Sequence, residues 1–80
     1  MNDDLNKLTQ EIIDIVKTVT RSDLVDGDSS IENLSNWDSL AYMSIISEIE
    51  INYEVEVNEK NINSFNSIKS IVDIVLNKNK

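Results

Sequence analysis

Asn36-Trp37-Asp38-Ser39-Leu40 closes a long polar stretch and opens the most apolar helical segment of the chain. The spacing predicts a helix from Ser39 to about Tyr53. Tyr42, Ile45, Ile46, Ile49 and Tyr53 recur at i, i+3, i+4, i+7 and i+11, the pattern of one buried stripe. Asp38 then falls at the N-cap, where a short polar side chain accepts from free backbone N–H groups. Ser39 falls in the first turn, an exposed hydroxyl at the positive end of the helix dipole. A phosphate ester on that oxygen would sit where the backbone already favours an anion. The plainer reading is that Asp38 and Ser39 only cap a helix. Met43 lies toward one side of the buried stripe and Ile51 nearly opposite it. Leu40, Met43 and Ile51 are therefore candidates for a surface facing a partner or cargo, although single exposed apolar residues are ordinary.

Upstream, Leu5, Leu8, Ile12, Val16 and Val19 recur at helical spacing, and Ile13 and Ile15 widen their face. A helix over about residues 4–19 is expected, capped by Asp3 or Asp4. Residues 20–36 have no sustained period and contain the only Gly, Gly27, in the turn signal Asp26-Gly27-Asp28. Leu24, Val25, Ile31 and Leu34 are expected to pin this connection to the helices. Ser29-Ser30-Ile31-Glu32 matches a capping box and predicts a helical turn near Ile31–Leu34. Asp23, Asp26 and Asp28 invite a calcium reading, but the twelfth position of an EF-hand loop, normally Glu, is Trp37. No metal site is expected.

Downstream, Tyr53-Glu54-Val55-Glu56-Val57 alternates like a strand. No second strand offers itself as a partner, so Val55 and Val57 are expected to drop into a helical core from a loop. Glu59–Asn63 reads as a short helix with Ile62 inward and Phe65 following. Asn66 or Ser67 should cap a last helix with Ile68, Ile71, Ile74 or Val72, Val75 and Leu76 on its core face. Lys78 and Lys80 suit the negative pole at its end. The fold expected is all-α, with three main helices, one short helix and a long first loop, in a single domain over residues 1–80.

Eighty residues bury only about 60% of the surface the unfolded chain exposes, so stability should be modest. Without Cys there is no disulfide and no thiolate chemistry, and without His no imidazole acid–base catalysis or ligation. Seven basic and fifteen acidic residues give a net charge of −8. That balance disfavours nucleic acid and anionic membranes and favours partners with basic docking patches. Most of the acids simply keep a small protein soluble. No apolar run approaches the roughly 20 residues of a membrane span, and Met1-Asn2-Asp3-Asp4 has no signal-peptide pattern. A cytoplasmic monomer is expected.

From Leu34 to about Val75 the chain resembles the acyl carrier protein family. The features that carry the resemblance are Asp38-Ser39-Leu40, the helix after it, Tyr53 and Val57 where that helix ends, and Ile68-x-x-Ile71-Val72-x-x-Val75. The resemblance implies a small four-helix acyl-carrier-like bundle. It also implies that Ser39, flanked by Asp38 and Leu40, carries a covalent 4′-phosphopantetheine arm donated from coenzyme A, with an acyl group held on its terminal thiol as a thioester. A phosphopantetheinyl transferase would attach the arm, and acyl- or aminoacyl-loading and acyl-transferring enzymes would use it, in fatty acid synthesis or a specialised pathway. The implied partner surface is Leu40, Met43, Ser44, Glu48 and Ile51. The resemblance also implies that the core transiently shelters an acyl chain between helices, among Ile45, Ile46, Ile49, Ile71 and Val72. Family members often have Gly before Asp-Ser-Leu, where this chain has Trp37. Fatty-acid members often carry acids two and five positions after the modified Ser, where this chain has Ala41 and Ser44.

Two other functions compete with the carrier. Nucleophilic catalysis by Ser39 needs a base, and with no His only a Lys such as Lys69, buried beside it, would serve. An acidic helical interaction module would use the same exposed surface without an arm.

Overall fold

The computed structural model describes residues 2–78. α1 runs Asn2–Thr20, α2 Ser39–Tyr53 and α3 Ile68–Leu76, and a 3₁₀ turn at Ile62–Ser64 stands before α3. Among the described residues there is no strand, and residues 54–58 are unpaired loop as expected. α1 is the central helix and packs against both α2 and α3, while the 3₁₀ turn packs against α3.

The apolar stripes meet in one core. α1 contributes Ile12, Ile13 and Val16, α2 contributes Ala41, Ile45, Ile46 and Ile49, and α3 contributes Ile68, Ile71, Val72 and Val75. Val55 is buried from the loop after α2, and Val57 is half-buried against the core. Burying one such Ile or Val side chain contributes about 1.5–3 kcal/mol, and this sum holds a small helical domain together.

Several expected details differ. α1 has already begun at Asn2, which places Asp3 and Asp4 inside the helix and not at its cap. In the first connection Val25 and Leu34 are buried, but Leu24 is 84% exposed and Ile31 is also exposed. The missing anchor is Trp37, whose ring is buried in the core. The capping box is shifted by one residue. Ser30 Oγ accepts from Glu32 N at 3.3 Å, and Asn33 Oδ1 accepts from Ser30 N at 2.9 Å. Leu34 N donates to Ser30 O at 3.0 Å, closing a single turn. Ser29 is buried instead, and its Oγ accepts from Asp26 N at 2.9 Å.

In the second connection Ile62 is exposed and Phe65 is fully buried, so the aromatic ring takes the place expected of Ile62. Ser67 caps α3, its side chain accepting from Ser70 N at 3.1 Å. Leu76, expected in the core, is 53% exposed on the last turn. Lys78 Nζ donates to Tyr53 O, and Lys80 lies outside the described residues. The two connections are joined by one antiparallel bridge between Ser30 and Ser67. In it Ile31 N donates to Asn66 O at 2.9 Å and Ile68 N to Ser29 O at 3.1 Å. That bridge satisfies backbone groups that neither loop satisfies internally.

Candidate functional site

α2 begins where the sequence pattern placed it. Asp38 has extended backbone, and its Oδ1 accepts from Ala41 N at 2.9 Å. Its carbonyl accepts the first helical bond, from Tyr42 N, at 2.8 Å. The cap thus takes up the amide of Ala41. The amides of Ser39 and Leu40 have no acceptor among the described residues. Helix starts leave such donors free, and the dipole adds partial positive charge at the same point.

Ser39 is exposed, and its hydroxyl has no partner among the described residues. The chemistry available is that of an accessible alcohol beside free N–H donors. A phosphodiester formed on Oγ is within the reach of those amides and finds a favourable charge there. Among the described residues no carboxylate is bonded to the hydroxyl, and the chain has no imidazole. Lys69, the base considered for Ser39, is exposed on α3 and paired with Asp28 at 2.9 Å. The hydrogen bond and charge of Asp28 raise its pKa, which keeps it a cation.

The loop before the site holds it in place from below. Trp37 N donates to Leu34 O at 3.0 Å, and the ring of Trp37 is 2% exposed. The chain therefore leaves a buried aromatic anchor and reaches the exposed Ser39 two residues later. Beside it lies an open depression lined by Thr20, Arg21, Ser35, Asn36, Asp38, Leu40 and Ser44, so the only Arg of the chain stands on its wall.

α2 is apolar on two faces. Leu40 is 81% exposed, Met43 56% and Ile51 75%, and Ser44 and Glu48 are exposed as well. At 100° per residue Leu40, Met43, Ser44 and Ile51 fall on one side, opposite Ile45 and Ile49. Ala41 does not belong to this surface. It is 6% exposed and packs inward, so the first of the two positions compared with family acids is a core position here. Ile45, Ile46, Ile49, Ile71 and Val72 are all buried.

A phosphopantetheine attachment site model matches residues 10–75, which covers most of α1, all of α2 and nearly all of α3. The chain belongs to that family. Its cofactor is 4′-phosphopantetheine, covalently attached, and the chain is a carrier of that arm. Carrier domains of this family work with phosphopantetheinyl transferases and acyl-handling enzymes. No curated protein and no solved structure matched the chain. The free hydroxyl and free amides at the start of α2 fit such an arm, whose thiol supplies the thioester chemistry. Among the described residues no helix is long and apolar enough to cross a membrane.

Proposed function

We propose that the chain, as one carrier domain over residues 1–80, holds an acyl group on an arm attached to Ser39 and presents it to successive enzymes. The observation that carries this reading is the exposed, unengaged Ser39 hydroxyl beside two free amides at a capped helix start. In the attachment step the Ser39 oxygen forms a bond to the phosphorus bearing pantetheine in coenzyme A. The bond to adenosine bisphosphate breaks and that nucleotide leaves. The serine proton goes to a base on the transferase, because this chain has no His and no side chain among the described residues is bonded to the Ser39 hydroxyl. A phosphopantetheinyl transferase with magnesium and coenzyme A should add the mass of one arm to the wild type and none to Ser39→Ala. Addition to Ser39→Ala, or none to the wild type with several transferases, overturns the assignment.

The chain itself is a substrate and partner of enzymes, not a catalyst. Its partners read Leu40, Met43, Ser44, Glu48 and Ile51, a face more apolar than the net charge suggests. That face supports a specialised acyl-transfer pathway over housekeeping fatty acid synthesis. Long-range charge sets encounter rate more than affinity, so Ser44→Glu should quicken association with housekeeping enzymes that have basic patches. Equal use of the wild type and a housekeeping carrier by those enzymes would overturn the pathway assignment alone. The protein is proposed to work in the cytoplasm as a monomer.

A further inference from the structure

We propose that the indole N–H of Trp37 recognises an oxygen atom on the cargo, so that this carrier shelters oxygenated acyl chains, bearing a ketone or hydroxyl, in preference to saturated chains of equal length. This deepens the carrier reading and rests on it. Trp37 is 2% exposed and stands among the largest buried side chains. Its Nε1 is buried and has no hydrogen-bond partner among the described residues. Nearly all buried polar groups are paired, and an unpaired donor in an apolar setting loses the hydration it had in the unfolded chain. The indole belongs to the same buried cluster as Ile45, Ile46, Ile49, Ile71 and Val72, which offer it no acceptor side chain.

The place of this donor gives it a use. Two residues of chain span at most about 7 Å, so Trp37 stands at the end of α2 that bears the arm, and an arm folded back along the bundle brings its thioester end into the core on that side. A saturated chain drawn into the core adds dispersion contacts and leaves the N–H unpaired. A chain with an oxygen near its thioester end brings an acceptor into the core, and both polar groups are then satisfied. Selection follows from the general asymmetry of buried polar sites. A site with a built-in donor discriminates against the analogue that lacks the acceptor.

Trp37 is the only Trp, so the indole proton gives one resonance. The test compares the unmodified protein, the protein with the bare arm, and two loaded forms made from the corresponding acyl-coenzyme A. One form carries a straight saturated chain and the other the same chain with a ketone at the third carbon. The expected result is one indole position for the first three forms. With the ketone chain the resonance moves downfield and exchanges more slowly with solvent. No movement with the ketone chain overturns the proposal. So does movement already with the bare arm, which would make the arm's own amides the acceptor, or a bound water seen at the indole of the unmodified protein. Trp37→Phe keeps a ring and removes the donor. It should abolish the extra thermal stabilisation that the ketone chain gives over the saturated one. Should that variant not fold, the wild-type resonance still decides. Failure to gain mass at Ser39 sinks the carrier reading, whereas mass gain with an unmoved indole sinks only this inference.

Discussion

The two ends of α2 are built differently. At the first turn one side-chain bond, from Ala41 N to Asp38, is the only cap, and Ser39 and Leu40 stand free in solvent. At the last turn Tyr53 is tied on two sides. Its hydroxyl donates to Glu11 Oε1 of α1 at 2.8 Å, and its carbonyl accepts from Lys78 after α3. Asn52 Nδ2 adds a bond back to Glu48 O at 2.9 Å. The last turn is fastened by side-chain bonds to α1 and to Lys78 beyond α3. The first turn is held from beneath, by the buried Trp37 ring and by the Tyr42 hydroxyl donating to Ile62 O, and leaves Ser39 and Leu40 free where an arm would attach. Attachment and stability are therefore separable, and substitutions at opposite ends should divide them.

The largest effect is expected at the open end. Ser39→Ala should lose all arm attachment, read by intact mass, while its thermal unfolding stays close to that of the wild type. An exposed, unbonded hydroxyl holds nothing together. A variant that unfolds would break the comparison by making Ser39 structural. Asp38→Ala should cost about 1 kcal/mol, measured by urea unfolding, because the Ala41 amide loses its acceptor. Its rate of arm attachment should also fall, since the start of α2 frays where the transferase must hold it.

At the fastened end the expected change has the opposite sign. Glu54 ends α2 with φ 54°, in the left-handed region. An L-residue with a side chain is strained there, and a carboxylate meets the negative end of the helix dipole. Glu54→Gly should stabilise the protein by about 1 kcal/mol, with arm attachment unchanged. A destabilised Glu54→Gly would show that Glu54 makes a contact of its own and that this end is held by more than backbone geometry.

The open end was legible because its signals are local. A polar cap followed by an apolar stripe fixed the start of α2 at Ser39, and the stripe placed Ile45, Ile46 and Ile49 in the core. Periodicity likewise placed Ile12, Val16, Ile71 and Val75. It was silent in the connections, where Leu24, Ile31 and Ile62 are apolar yet exposed, because a loop has no period to assign an inward side. Leu76 failed for a related reason, since the last turn of α3 runs past the core it packs on. Comparison with the family's acids points Ala41 outward, whereas its place beside Ile45 on the buried side of the helical wheel marks it as inward. Comparison with the family shows Trp37 only as a departure from Gly. The available signal was its place just before the cap, where a hydrophobic residue commonly folds back onto the fourth helical position, here Tyr42.

The smallest expected effect tests the Tyr53 tie through pH. Burial raises the phenol pKa first, and the hydrogen bond and charge of Glu11 raise it further above the ordinary value of 10.0. Ionised Tyr53 would lose its burial-compatible neutral form and face the Glu11 carboxylate as a like charge. Between the unfolded and folded pKa the folded state binds more protons than the unfolded one. Stability then falls as pH rises, and the contribution of Tyr53 is fully present only below the unfolded value near 10. Tyr53→Phe keeps the ring against the core and removes both the donor and the titration. Melting temperatures of the two proteins should differ by a constant amount from neutral pH to about pH 10, with the wild type higher. Above that the gap should narrow, because only the wild type loses this contribution. Lysines such as Lys69, whose pKa is also raised, deprotonate in the same range, but they do so in both proteins and cancel from the difference. A gap that stays constant through the alkaline range would show that the phenol titrates alike in folded and unfolded chains. The bond to Glu11 would then not fasten this end, and the contrast between the two ends of α2 would rest on Glu54 and Lys78 alone.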